Sequence, residues 1–501
     1  MPTEPLEIPW HPWSADAFRL ANAQQRPVLL AIGAAWCPWT AAMAWGSYRD
    51  SRIVHLVING FVAVQIDADQ RPDISDRYTL GGWPTTAFLT PSGDLLGGGT
   101  YLDAQALLVV LEQVAKAYTS RQGEIEARAR QTREQVDSRL TNNLPEDSVV
   151  LDRSAGQWFD AESHARFDQV WGGFGSGTKH VDQEALAAAL LRGTQQDDPE
   201  LTRIATRTLD AIISGELWDT DQGGLFRACE GRDWSQPQAG KLLTIHAQVL
   251  HLLLTASMSL DRSDFGDRAR AIFQFVHTTF AASEGGFFTS QRTALHGTSR
   301  DANDGIDRTV YSDTTATMAS AYVHGASVFG DNSLLEFAVE SMDRLLAETY
   351  EPGKGIGHVV SGAPPFRGLL TDHVNVSTAL LDLYDTTQHA VYLDLPQELM
   401  TYCRITMWDE TAGFGDRARN ADGVEPPLGL LRDQNYRLDL NCRASMVLAR
   451  LGKLLDDEAY HRLALRALAL QTPQYREHGL RGAVYVLALD TIDRVGTRND
   501  G

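Results

Sequence analysis

Ala35-Trp36-Cys37-Pro38-Trp39-Thr40 decides how the first part of the chain is read. The run just before it, Val28-Leu29-Leu30-Ala31-Ile32-Gly33, is short and almost wholly apolar, the pattern of a strand buried on both faces. Pro38 suits the first position of a helix, where its missing N–H is no loss. Cys37 therefore falls between a buried strand and a helix N-terminus, where backbone N–H groups and the helix dipole favour a thiolate. Working outward, Trp13–Gln24 has helical spacing with Ser14 as a candidate N-cap. Phe61–Asp67 and Thr86–Thr90 read as further buried strands, Pro91-Ser92-Gly93-Asp94 and Gly97-Gly98-Gly99 as turns, and Leu107, Leu108, Leu111 and Val114 as one face of a helix. Strand–helix–strand–strand–helix order fits a small mixed sheet.

A second stretch, Gly82-Trp83-Pro84-Thr85, stands just before the third strand. With the Cys37 segment it resembles the thioredoxin fold, in which a cis-proline here faces the active cysteine; the resemblance makes Pro84 and Thr40 signature positions. Trp10-His11-Pro12-Trp13, Met43, Asp67-Ala68-Asp69-Gln70-Arg71-Pro72-Asp73, the run Gly81–Pro91 and Gly98-Gly99-Thr100-Tyr101 extend the likeness. They resemble the two-domain family that includes the spermatogenesis-associated thioredoxin-like proteins. The resemblance implies a multidomain chain: an α/β thioredoxin-like domain followed by an all-α (α/α)6 toroid, like the six-hairpin glycosidases. That family usually carries Cys-His-Trp-Cys-His. Here Cys37 keeps the first cysteine, Thr40 replaces the second, and Pro38 and Ala41 replace the histidines. A dithiol oxidoreductase resolves its mixed disulfide with a second thiol, which Thr40 cannot supply. A hydroxyl can still hydrogen-bond a Cys37 thiolate, so a monothiol redox protein using Cys37 is one alternative. A degenerate domain that docks a protein partner, within a non-catalytic interaction scaffold, is another.

The second part repeats. Trp171-Gly172-Gly173-Phe174, Gly223-Gly224-Leu225-Phe226, Gly285-Gly286-Phe287-Phe288, Gly353-Lys354-Gly355-Ile356 and Ala412-Gly413-Phe414-Gly415 are five glycine–aromatic markers. Taking Gly172, Gly223, Gly285, Gly355 and Gly413, the spacings are 51, 62, 70 and 58 residues. A helix precedes each marker and another usually follows, so each repeat is a helical hairpin around a turn where glycine permits positive φ. A sixth hairpin has room at Tyr460–Asp493. Six hairpins close into a ring; an open solenoid would have shorter, more regular repeats. Phe167-Asp168 before the first marker, Lys179, and Gly368-Leu369-Leu370-Thr371-Asp372-His373 also match the family pattern. The charged stretch between the halves reads as a helical linker. The expected divisions are 1–120, 121–145 and 146–501.

Such toroids occur in sugar epimerases and glycoside-processing enzymes, so chemistry is expected from polar residues where inner helices begin. Asp313, Asp372 and His373 are catalytic candidates, as is Cys37 in the first domain. Lys179, Lys241, His246, Asp307, Trp218 and Asn441 are candidates for binding a sugar-like small molecule. A glycosidase needs two carboxylates and an epimerase an acid/base pair. The family's Pro-His-Phe-Glu-Lys-Met is here Pro237-Gln238-Ala239-Gly240-Lys241-Leu242, which loses His and Glu but keeps Lys241.

Composition excludes other classes. The 501 residues carry 44 Lys and Arg against 65 Asp and Glu, a net charge of −21. Such a surface disfavours nucleic acid and anionic membranes as partners. No run of about 18 apolar residues exists, and Met1-Pro2-Thr3-Glu4-Pro5 lacks the basic and apolar regions of a signal peptide. A cytoplasmic protein is expected. Cys37, Cys229, Cys403 and Cys442 form no CxxC pair, no metal-ligand cluster is visible in the spacing, and no cofactor or metal is expected.

Overall fold

The computed structural model describes residues 6–140, 150–292, 305–360, 366–419, 421 and 427–496. The chain forms two compact units.

The first unit is built on a four-stranded sheet. Helix α1 (Ala15–Gln24) is capped by the Ser14 hydroxyl, which accepts from the Ala17 N–H. Strand β1 (Val28–Gly33) leads into α2 (Pro38–Trp45), then α3 (Ser51–Gly60), β2 (Val62–Asp67), α4 (Pro72–Tyr78), β3 (Thr85–Leu89), β4 (Leu95–Gly99) and α5 (Ala104–Leu140). The strand order is β2–β1–β3–β4, with β1 parallel to β2 and the other pairs antiparallel. Leu29, Met43, Ile53, Val57, Phe61, Phe88, Leu107 and Leu111 share one core. This is the thioredoxin-like arrangement, and it puts Cys37 at the end of β1 where α2 begins.

Gly97-Gly98-Gly99 is not a turn but most of edge strand β4, paired with β3. A Cβ on Gly98 would lie 2.1 Å from the Thr86 carbonyl oxygen, so glycine here serves close strand approach. Helix α5 is kinked at Arg121, and beyond the kink Arg133 pairs with Asp94 of the same unit. Residues 427–434, which stand far down the sequence, also belong to the first unit. Their anchor is Tyr78: its hydroxyl donates to Gly93 O (2.7 Å) and accepts from Leu430 N (2.8 Å). Arg77 adds bonds to the Leu430 and Asp433 carbonyls.

The second unit is a ring of helical hairpins. In chain order the pairs are α6 (Ala155–Arg166) and α7 (Gln183–Gln195), α8 (Pro199–Ser214) and α9 (Leu243–Ser259), α10 (Ser263–Thr279) and α11 (Ser312–Phe329), α12 (Asn332–Thr349) and α13 (Leu370–Thr387), α14 (Val391–Thr406) and α15 (Leu438–Leu455), and α16 (Glu458–Ala469) and α17 (Ala483–Gly496). The second helix of each pair is an inner one. Each inner helix packs against the next, and α17 packs against α7, so the circle closes. This is the (α/α)6 toroid. The sixth hairpin lies where Tyr460–Asp493 places it, but a 3-10 segment, Tyr475–Gly482, stands in for the glycine–aromatic marker.

Outer and inner helices start differently. Asp198, Asp331 and Asp457 cap outer helices α8, α12 and α16 through backbone N–H groups. Inner helices α9, α11, α13 and α15 have no side-chain cap and start from extended residues Leu242, Tyr311, Leu369 and Arg437. The inner helices are buried except along one stripe. On α13 it is Thr371, Asn375, Thr378 and Asp382, and on α15 Asp439, Arg443, Met446 and Arg450, all half-buried. Spacings of four, three and four residues put each set on one helix face. Arg443 pairs with Glu184 of α7 at 2.6 Å. Since α17 separates α15 from α7 in the ring, that pair spans the interior, and the stripe lines the lumen.

Candidate functional site

In the first unit Cys37 N-caps α2, is 4% exposed, and donates from Sγ to the Trp83 carbonyl at 3.4 Å. The Trp83–Pro84 bond is cis. Thr40 does not turn its hydroxyl to the thiol. Its Oγ1 accepts from Ala34 N at 3.3 Å, and its methyl fills the space above Gly33. Trp36 is fixed by Asp69 (3.1 Å) and meets the Trp83 ring edge-on, with centroids 5.5 Å apart. Cys229, Cys403 and Cys442 are free, buried and in the second unit.

In the second unit most of the expected binding residues serve the marker turns. Asp168 and Asp219 each accept two backbone N–H groups of the turn that follows. A buried lysine locks each turn. Lys179 Nζ donates to Asp168 (2.9 Å) and the Gly175 carbonyl (2.9 Å). Lys241 Nζ bridges Asp219 (2.7 Å) and the Gly223 carbonyl (2.7 Å). Glycine is required beneath them: Gly224 has φ +78°, and a Cβ there would lie 2.4 Å from the Phe275 ring.

His246, His373 and Asn441 play one common part. Each lies four residues after the residue that starts its helix. The Nδ1–H of His246 donates to Leu242 O (2.7 Å) and Nε2 accepts from Leu225 N (2.8 Å). His373 donates likewise to Leu369 O (2.7 Å) and accepts from Ile356 N (3.2 Å). Asn441 accepts from Phe414 N (2.7 Å) and donates to the Phe414 and Arg437 carbonyls. Each side chain thus pins a marker turn to the inner helix after it. Burial pushes His246 down to about 4 and lowers His373 as well, so both imidazoles are neutral. Trp218 stands in the α8–α9 turn with the Arg268 guanidinium 4.3 Å from its ring. Asp307 binds Thr309 through N–H and hydroxyl.

What the fold does bring together is Asp313, Asp372 and His358. Asp313 is in the first turn of α11, Asp372 in the first turn of α13, and His358 in the short hairpin that follows the Gly355 marker. One donor atom from each lies within 4.8 Å of the other two. His358 Nδ1 is 2.9 Å from Asp372 Oδ1, and its ring stacks on Tyr311 at 4.9 Å. Ser312 N–H donates to the His358 carbonyl (2.9 Å), fixing the hairpin to the start of α11. Asp372 and His358 are buried and Asp313 is half-buried. Burial pushes the Asp313 carboxyl up to about 6, with Asp372 adding to the rise and His358 opposing it. Two carboxylates and an imidazole in this arrangement can transfer a proton or hold a cation.

His358 carries no sequence motif. Deeper along the lumen, His251 and His324 stack at 5.9 Å, and Asp382 is held by Ser320 and Arg450. These too went unmarked in the sequence, where only the recurring half-buried stripe could have found them.

Residues 3–137 match a thioredoxin-type DsbH family model, described as a protein of unknown function, DUF255. Spermatogenesis-associated protein 20 of Rattus norvegicus is 25% identical over 307 residues, 57% of this chain and 38% of the relative. The uncharacterized protein B0495.5 of Caenorhabditis elegans is 25% identical over 258 residues, 48% of this chain and 35% of the relative. The matched region thus spans well under half the length of these relatives. Among solved structures, cellobiose 2-epimerase from Spirochaeta thermophila DSM 6192 superposes with TM-score 0.55 at 12% identity, over 68% of this chain and 98% of that one. The family 76 mannosidase Bt3792 of Bacteroides thetaiotaomicron gives TM-score 0.51 at 8% identity, over 69% and 99%. The chain is similar to the two-domain spermatogenesis-associated thioredoxin-like proteins. The epimerase and mannosidase likenesses establish the ring fold. Among the described residues no helix is long and apolar enough to cross a membrane.

Proposed function

We propose that the ring binds and processes a neutral, sugar-like small molecule where Asp313, His358 and Asp372 converge. The convergence is the observation that carries this reading: three polar groups from separate stretches of chain meet at the starts of two inner helices. Carboxylates and an imidazole together accept from and donate to hydroxyl groups, and the same three are the groups available for chemistry on the bound molecule. The lumen stripe, with Thr378 and Asn375 on α13, offers further hydroxyl and amide partners. Ring-fold neighbours named as cellobiose 2-epimerase and mannosidase support a carbohydrate ligand. The thioredoxin-like domain is read as lacking dithiol activity, because Thr40 holds Ala34 and brings no second thiol.

A thermal-shift panel of neutral mono- and disaccharides and sugar phosphates, run on the full chain and on Asp372→Asn, tests the reading. At least one neutral sugar should raise the melting temperature of the wild type and not that of the variant. If no sugar shifts the wild type, the reading fails.

A further inference from the structure

We propose that Asp313, His358 and Asp372 form a binding site for a first-row divalent cation such as Mn2+ or Zn2+. The inference rests on the reading above for what the cation acts on, not for the binding itself.

Charge compensation is the first argument. At two marker turns of the ring, carboxylates drawn from water are matched by cations: Asp168 by Lys179 and Arg232, and Asp219 by Lys241. Among the described residues neither Asp313 nor Asp372 has a lysine or arginine within ion-pair distance, and the His358 imidazole is the one group of opposite tendency beside Asp372. Two neighbouring carboxylates drawn from water without a cation are costly.

Geometry is the second. Ligands on opposite sides of one such ion, with bonds of about 2.1 Å, stand about 4.2 Å apart. The three donor atoms already lie within 4.8 Å of one another. One Asp313 oxygen accepts from Thr314 N. The mixed oxygen and nitrogen donor set suits Mn2+ or Zn2+ better than the all-oxygen shells of Ca2+.

Rigidity is the third. His373 holds Ile356 N, Ser312 holds the carbonyls of Gly357 and His358, and both carboxylates sit in the first turns of packed helices. The ligands are therefore held close together before the ion arrives. Three protein ligands leave positions free, and vicinal hydroxyls or a carbonyl of a sugar-like molecule would complete the shell.

Binding is measured on the full chain, freed of metal by chelator, without any sugar. Mn2+ is titrated by the loss of the free-ion paramagnetic resonance signal and Zn2+ by calorimetry, for wild type, Asp372→Asn and Asp313→Asn. One ion per chain is expected, with affinity falling about tenfold or more in either variant. Circular dichroism of the chelated proteins shows which variants fold, and half-buried Asp313 provides a second probe should Asp372→Asn unfold. No stoichiometric uptake by the wild type, or equal uptake by both folded variants, overturns the proposal. The sugar panel is then repeated on metal-loaded and metal-free protein. Metal uptake with no sugar response sinks the carbohydrate reading alone; a sugar response without metal uptake sinks the cation alone.

Discussion

His358 Nδ1 stands 2.9 Å from Asp372 Oδ1, while the next residue on α13, His373, turns the other way to hold Ile356 N. Two adjacent side chains of one helix thus grip the same short stretch of chain, Asp372 through the His358 imidazole and His373 through the Ile356 N–H.

The histidine pins give a stability prediction. His246→Ala orphans the buried Leu225 N–H and should cost roughly 2 kcal/mol, the penalty of an unsatisfied donor. His246→Asn should cost clearly less, because Asn441 makes the same contacts in another repeat. Urea denaturation of the two variants measures the difference; equal losses would show that the hydrogen bonds are not what stabilises the turn.

The same histidine sets a pH dependence. In the folded chain burial holds His246 neutral, with its pKa pushed down to about 4. The unfolded chain takes up the proton first as pH falls below about 6.5, so stability drops from there to about 4 and levels off below. The slope inside that window is about 1.4 kcal/mol per pH unit for one such histidine. Melting temperatures between pH 7 and 4 should fall less steeply in His246→Asn than in the wild type.

The two buried lysines are not equivalent. Lys179→Met leaves Asp168 paired with Arg232, whereas Lys241→Met leaves Asp219 with no second cation among the described residues. Stranding a buried charge costs roughly 3 kcal/mol or more, so Lys241→Met should be the more destabilising. Adding Asp219→Asn to it should restore part of the loss. Denaturant midpoints check the order, and a larger loss in Lys179→Met would refute this account of the turns.

Cys37 should act without a resolving partner. The wild type should fail to reduce insulin disulfides under conditions where a dithiol thioredoxin succeeds. Thr40→Cys, at the usual second-cysteine position, should gain an intramolecular disulfide on mild oxidation, read by mass spectrometry after alkylation. Ready insulin reduction by the wild type would contradict the single-thiol reading.

What could be read from the sequence was what is written locally. The strand before Cys37, the turn at Pro84 and the glycine–aromatic markers announce themselves because buried strands and positive-φ turns constrain nearby residues. His246, His373 and Asn441 looked like site residues because they are polar groups at helix starts. Their partners lie 21, 17 and 27 residues away, in turns whose link to the helix only folding makes. His358 was invisible for another reason: it follows a glycine marker that reads only as a turn, and its importance comes from the packing of α11 against α13. Residues 427–434 joined the first unit through Tyr78 and Arg77, contacts that no local pattern encodes.

The most direct test of the ring site is saturation-transfer NMR with the neutral saccharide panel on the 501-residue chain, comparing wild type with Asp313→Asn and Asp372→Asn. Binding at the ring site predicts transfer to the protons of at least one neutral sugar in the wild type, and its loss in both folded variants. Transfer that survives both substitutions, or no transfer to any sugar in the wild type, would contradict it.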